Sequence, residues 1–166
     1  IIKQINDDIY NVYNQLIRNY PFTIISDKPT YLVTKYPNVF YYSSKITMEK
    51  GYKNLISFKK CSAWDKALRH ISENNNYDYY WILEDDLFIN NNFESFISKY
   101  DLDNEDYLYS GWYKTKKEMK TWFHWSKAKK YFGDDIIAAS LNQFCRVSSN
   151  LINIINDFKK EHGRLI

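Results

Sequence analysis

Strands and helices alternate along this chain, so its sequence predicts an α/β domain with a mostly parallel central sheet flanked by helices. Three observations carry that expectation. Tyr79 to Leu83 run aromatic and aliphatic without a polar break, the mark of a strand covered on both faces. An amphipathic helix with capping residues precedes this run, and further strand-type and helix-type stretches alternate after it. Three acids, Glu84, Asp85 and Asp86, then arrive where the run should leave the sheet, and in open α/β sheets ligands bind at the carboxyl ends of the strands.

The elements follow in order. Ile5, Ile9, Val12, Tyr13, Leu16, Ile17 and Tyr20 recur at three- and four-residue intervals, giving an opening helix that Pro21 stops, with no strand before it. Phe22 to Ile25 reads as a short strand closing on the turn Ser26-Asp27-Lys28-Pro29, where Asp27 either caps the turn or faces a ligand. After Pro37-Asn38, Val39 to Tyr42 forms another strand, followed by a polar loop through Gly51. Ser62 and Asp65 have capping-box spacing, and Trp64, Ala67, Leu68 and Ile71 supply the apolar face of the helix they start. Asn74 to Asn76 end that helix. Past the acids, Phe93, Phe96, Ile97 and Tyr100 mark a short helix, and Tyr107 to Tyr113 a strand with Gly111 near its end, where a missing side chain permits close approach of a ligand. Lys114 to Lys130 is lysine-rich with Glu118 as its one acid and with Trp122, His124 and Trp125 interleaved. A strand around Gln143 to Val147 leads to a helix capped by Ser148 or Ser149 and closed by Gly163, and Arg164-Leu165-Ile166 reads as the start of one more strand.

Composition narrows the classes. A length of 166 residues with 45% hydrophobic and 19% aromatic content predicts one domain with an ample core and argues against disorder. A net charge of +3 is too small to favour nucleic-acid binding through bulk electrostatics. No apolar run is long enough to span a membrane, and no signal-peptide pattern is present. Cys61 and Cys145 are too far apart for a metal or redox motif and too few for a disulfide framework, which fits a reducing, cytoplasmic setting.

The acids carry the chemistry. An extended backbone turns Glu84 and Asp86 to one face and Asp85 to the other. Adjacent carboxylates repel unless a cation or donors offset them, and hard oxygen ligands of this kind suit Mg²⁺ or Mn²⁺ with a substrate phosphate completing the shell. The plain alternative is a solvated acidic loop.

Taken together, this order of motifs resembles the nucleotide-binding half of GT-A-fold glycosyltransferases, which transfer a sugar from a nucleotide-sugar donor. Phe22 to Asp27 is similar to the family's second strand, whose terminal Asp contacts the nucleobase. Ser62-Ala63-Trp64-Asp65-Lys66-Ala67-Leu68 is similar to the helix leading into the metal motif, and Leu83-Glu84-Asp85-Asp86 to its D-x-D motif. Ser110-Gly111-Trp112 is similar to the glycine-bearing strand that faces donor sugar and acceptor. The combination is most like the small glycosyltransferases of large DNA viruses of algae and amoebae, which places the chain in a host cytoplasm if it is viral.

The resemblance implies a Rossmann-like single domain over residues 1–166, a nucleotide-diphosphate sugar donor, a glycan or glycoprotein acceptor, and Mn²⁺ or Mg²⁺. Asp86 is implied as the first metal ligand. Glu84 is implied as a second ligand or a ribose contact, and Asp85 as a ribose contact or a turn cap. Asp27 and Asp65 fall to the nucleoside, although each has a capping role open to it. Lys66 falls to a phosphate, or is an exposed helix lysine. Gly111 and Trp112 face the sugar, and Trp122 and Trp125 stack on sugar rings unless they are core. For an inverting reaction Asp134, Asp135 or His124 is the general base, or the acids cap the turn at Gly133. GT-A folds open with a strand that helps hold the nucleotide, so this chain is expected to lack that strand and part of the acceptor region. Two other classes stay open: a metal-dependent phosphoesterase or nuclease, which needs a second cluster of acids or histidines, and a non-catalytic carbohydrate-binding domain, which explains the aromatics without the acids.

Overall fold

The computed structural model describes residues 1–2, 5–53, 61–85, 87, 92–110, 113–115, 129–133, 138–140 and 144–165. Helix α1 (Asp7–Leu16) starts at Asn6, whose side chain accepts the Ile9 N–H, and carries Asp7 and Asp8 at its positive end. It stops before the apolar periodicity does, because the Glu94 carboxylate takes the N–H groups of Arg18 and Asn19, both at 2.6 Å. Strands β1 (Ile24–Ser26) and β2 (Val39–Tyr41) pair in parallel, Ile24 opposite Val39 and Ser26 opposite Tyr41. The single-turn helix α2 (Leu32–Lys35) makes the crossover. Their core gathers Ile2, Ile5, Tyr10, Ile24, Leu32 and Val39.

Helix α3 (Ser44–Glu49) occupies part of the stretch expected to be a polar loop. It is held by a tertiary contact that leaves no apolar stripe in the sequence: its Thr47 is fully buried and accepts from Arg69 Nη1 at 3.1 Å. Helix α4 (Ala63–Glu73) and strand β3 (Tyr79–Leu83) form where the sequence places them. Helix α5 (Phe93–Ile97) and a 3₁₀ turn (Ser98–Tyr100) follow, then β4 (Tyr107–Ser110), β5 (Tyr113–Thr115), β6 (Ala138–Ser140), β7 (Phe144–Ser148) and helix α6 (Ser149–His162). Ser148 caps α6 and Gly163, at φ 67°, ends it in the left-handed region that glycine adopts without strain. After it, Leu165 donates its N–H to the Lys53 carbonyl at 2.9 Å and is buried, but the described residues form no strand there.

The α/β class holds, but the expectation of a mostly parallel sheet does not carry through the described pairings. β7 lies between β3 and β4 and runs antiparallel to both, with Leu83 and Ser110 each opposite Phe144. β5 and β6 are antiparallel as well. The cause is that a continuous apolar run marks a strand covered on both faces whatever its direction: every residue of β7 is buried, as a central strand requires. Because β7 opposes both neighbours, β3 and β4 share one direction. Helices α4 and α6 cover this sheet through a second core of Ile71, Ile82, Cys145, Val147 and Ile152, with Trp64 and Leu68 packed against it.

A second correction concerns the amino-terminal residues. Ile2 forms a parallel bridge to Ser26, donating its N–H to the Ile25 carbonyl and accepting the Asp27 N–H, each at 2.9 Å. An extended residue therefore does precede α1, alongside β1. The nitrogen of Ile1 donates to the Leu83 carbonyl at 2.5 Å, so residues 1–2 reach from the end of β1 to the end of β3.

Candidate functional site: the strand ends at the first turn of α4

The carboxyl ends of β1 and β3 meet the first turn of α4. Ser62 accepts the Asp65 N–H on Oγ, while Asp65 Oδ2 accepts the Ser62 N–H at 2.6 Å and the Ser62 hydroxyl at 2.8 Å. That reciprocal capping box occupies the Asp65 carboxylate, which is 2% exposed, and orients the next two side chains. Asp65 thus takes the capping role in this structure.

Lys66 follows on the buried side. It is 1% exposed, correcting the expectation of a solvated helix lysine, and its Nζ donates to Asp27 Oδ1 at 2.7 Å and to the Asp27 carbonyl at 2.8 Å. An ammonium removed from water needs such partners, since the desolvation it suffers is worth several kcal/mol. The Tyr41 ring adds a face 5.5 Å from the nitrogen. Asp27 keeps 36% of its side chain exposed, so its carboxylate is anchored from below and open from above.

Trp64 points the other way. Its indole N–H donates to Glu84 Oε1 at the end of β3, which holds the half-buried Glu84 carboxylate against α4. The chain does not stay extended through the acids: β3 ends with Leu83 opposite Phe144, and Asp85 lies exposed in a turn. The alternating-face argument therefore stops at Glu84, because the pairing that enforces the pleat stops one residue earlier. Burial, assisted by the charge of Asp85, raises the Tyr13 hydroxyl above its ordinary pKa, which places α1 within the field of the same acids.

One helical turn thus ties together Asp27 and Glu84, two acids expected at the nucleotide. Asp86, Gly111, Trp112, Trp122, His124, Trp125, Asp134 and Asp135 lie outside the described residues. Among the described residues, no group of three or more His, Cys, Asp and Glu side chains gathers at one point. The two thiols are poor nucleophiles: burial pushes Cys61 up to about 11 and Cys145 up to about 12, so both stay protonated at neutral pH.

Sequence reasoning passed over two side chains. Trp64 was read only as part of an apolar face, although an indole N–H in the first turn of a helix needs a partner when buried. Arg146 lies within the apolar run of β7, 2% exposed, and donates to the carbonyls of Tyr100, Asp103 and Glu105 while stacking 4.2 Å above the Tyr79 ring. It fastens the loop entering β4. Its charge inside an otherwise apolar strand was the available signal.

No helix among the described residues is long and apolar enough to cross a membrane. Comparison with protein-family models, with curated proteins and with solved structures finds no match for this chain.

Proposed function

We propose that this chain is a metal-dependent glycosyltransferase of GT-A type, moving a sugar from a nucleotide-diphosphate donor to a glycan or glycoprotein acceptor. The observation that supports it most is the convergence of Asp27 and Glu84 at the first turn of α4, each held by a neighbouring side chain of that turn. Acids anchored at adjacent strand ends form the crevice in which α/β folds bind nucleotides. Asp27, gripped from below by Lys66, presents acceptor oxygens to a base or ribose. Glu84, gripped by Trp64 through one oxygen, offers the other toward a cation, and Asp86 is assigned beside it from the sequence. The donor set is all oxygen, which fits Mn²⁺ or Mg²⁺. Bound there, the ion neutralises the charge that develops on the departing nucleoside diphosphate.

Under this reading Lys66 acts through Asp27 rather than on a phosphate. Titration calorimetry with UDP and GDP, with and without Mn²⁺, tests it: a nucleoside diphosphate binds more tightly with metal present. Sugar binding indifferent to metal marks a binding module instead, and cleavage of a polynucleotide marks a nuclease.

A further inference from the structure

A cavity of about 540 Å³ lies between β1 and β3, lined by Phe22, Ile24, Trp81 and Ile82 along its sides and by Ile71 and Ile97 against its faces. Both strands border it edge-on. β1 uses its other edge for β2, and β3 its other edge for β7. The two strands run the same way, since both carboxyl ends meet the first turn of α4, through Lys66 and Trp64.

Residues 1–2 already occupy the carboxyl end of this groove in strand fashion. Ile2 turns its backbone groups to β1 and Ile1 turns its nitrogen to β3, the alternation of a strand paired on both sides. The same alternation turns the Thr23 carbonyl and Ile25 N–H of β1, and the Trp81 carbonyl and Leu83 N–H of β3, toward the empty length of the groove. Buried backbone groups of this kind need partners, and an apolar cavity supplies none. The Ile1 nitrogen is itself buried, and burial lowers its ammonium to about 6 despite the opposing charges of Asp85 and Glu84. A peptide N–H in that place carries no charge to bury.

We propose that the groove is a strand site, occupied by an extended segment joined to the nitrogen of Ile1 and running parallel to β1 and β3. In the register set by the Ile2 to Ser26 bridge, the residue before Ile1 lies opposite Ile24, donates to the Thr23 carbonyl and accepts the Ile25 N–H. The residue before that donates to the Trp81 carbonyl and accepts the Leu83 N–H. Filling the groove joins β2, β1, the new strand, β3, β7 and β4 into one sheet. This inference stands on the two strand edges and does not depend on the glycosyltransferase reading.

The test fuses about five β-branched residues, an ordinary strand length, ahead of Ile1. Expected are a higher melting temperature, protection of the Ile25 and Leu83 amides from hydrogen exchange raised about tenfold or more, and an unchanged sedimentation coefficient. Proline placed two residues before Ile1 lacks the N–H for the Trp81 carbonyl and should cancel most of the gain. Unchanged protection at both amides overturns the proposal, as does a gain the proline variant retains in full. So does a gain that appears only with dimerisation, which assigns the groove to a second copy of the chain.

Discussion

The indole N–H of Trp64 is bound to the carboxylate of Glu84, joining the first turn of α4 to the end of β3. A hydrogen bond to a charged group in a half-buried site contributes about 1.5–3 kcal/mol. It also costs no further ordering when a ligand arrives, because the carboxylate is already held in place. Trp64→Phe keeps the ring packed on the second core and removes the donor. The variant should lose about 1–2 kcal/mol of stability in denaturant unfolding and weaken metal-dependent nucleotide binding by about tenfold. Wild-type binding in this variant removes Glu84 from the site.

The pair Lys66 and Asp27 should respond asymmetrically to substitution. Asp27→Asn leaves a buried ammonium with an amide and a carbonyl for partners, and the cost should be about 3 kcal/mol, the low end for breaking a buried ion pair. Lys66→Met replaces the buried charge with an apolar chain of similar length and leaves Asp27 to solvent, so it should cost less. Urea unfolding of both variants compares them directly, and a larger loss for Lys66→Met contradicts the assignment of Lys66 as a desolvated charge.

His70 makes stability depend on pH. Burial lowers its pKa below the ordinary 6.5 despite the opposing charge of Glu73, and its Nδ1 lies 2.8 Å from the Tyr42 hydroxyl. The unfolded chain therefore binds the proton more readily than the folded one. Stability should rise with pH through the range below about 6.5, be complete above it, and fall as acid protonates the ring. His70→Gln should flatten that part of the profile; an unchanged slope between pH 5 and 7 in urea titrations assigns the dependence to other groups.

Much of the framework around the site was legible because its signals are local. The Ser62 and Asp65 box marked the start of α4, the apolar run marked β3, and the three acids marked where β3 ends. What escaped depends on partners distant in sequence. A four-residue α2 and a polar α3 have no stripe to read, and α3 is fastened by Arg69 reaching Thr47. Strand direction is not written in an apolar run, so β7 was expected to extend a parallel arrangement. A lysine on a helix reads as solvated until the strand carrying Asp27 is placed beside it. The bridge at Ile2 went unseen because a two-residue pairing has no periodicity.

Metal-coupled nucleotide binding is tested most directly by titration calorimetry with UDP and GDP on the wild type and on Asp86→Asn, each with and without Mn²⁺. A metal shared between protein carboxylates and a diphosphate makes each ligand part of the other's binding site, so the enhancement must be reciprocal. The wild type should bind one of the two nucleotides more tightly with Mn²⁺, and bind Mn²⁺ more tightly with that nucleotide by the same factor. Asp86→Asn should abolish this coupling with little change in melting temperature. Equal nucleotide affinity with and without metal, or full coupling retained in Asp86→Asn, contradicts a metal site built on Asp86.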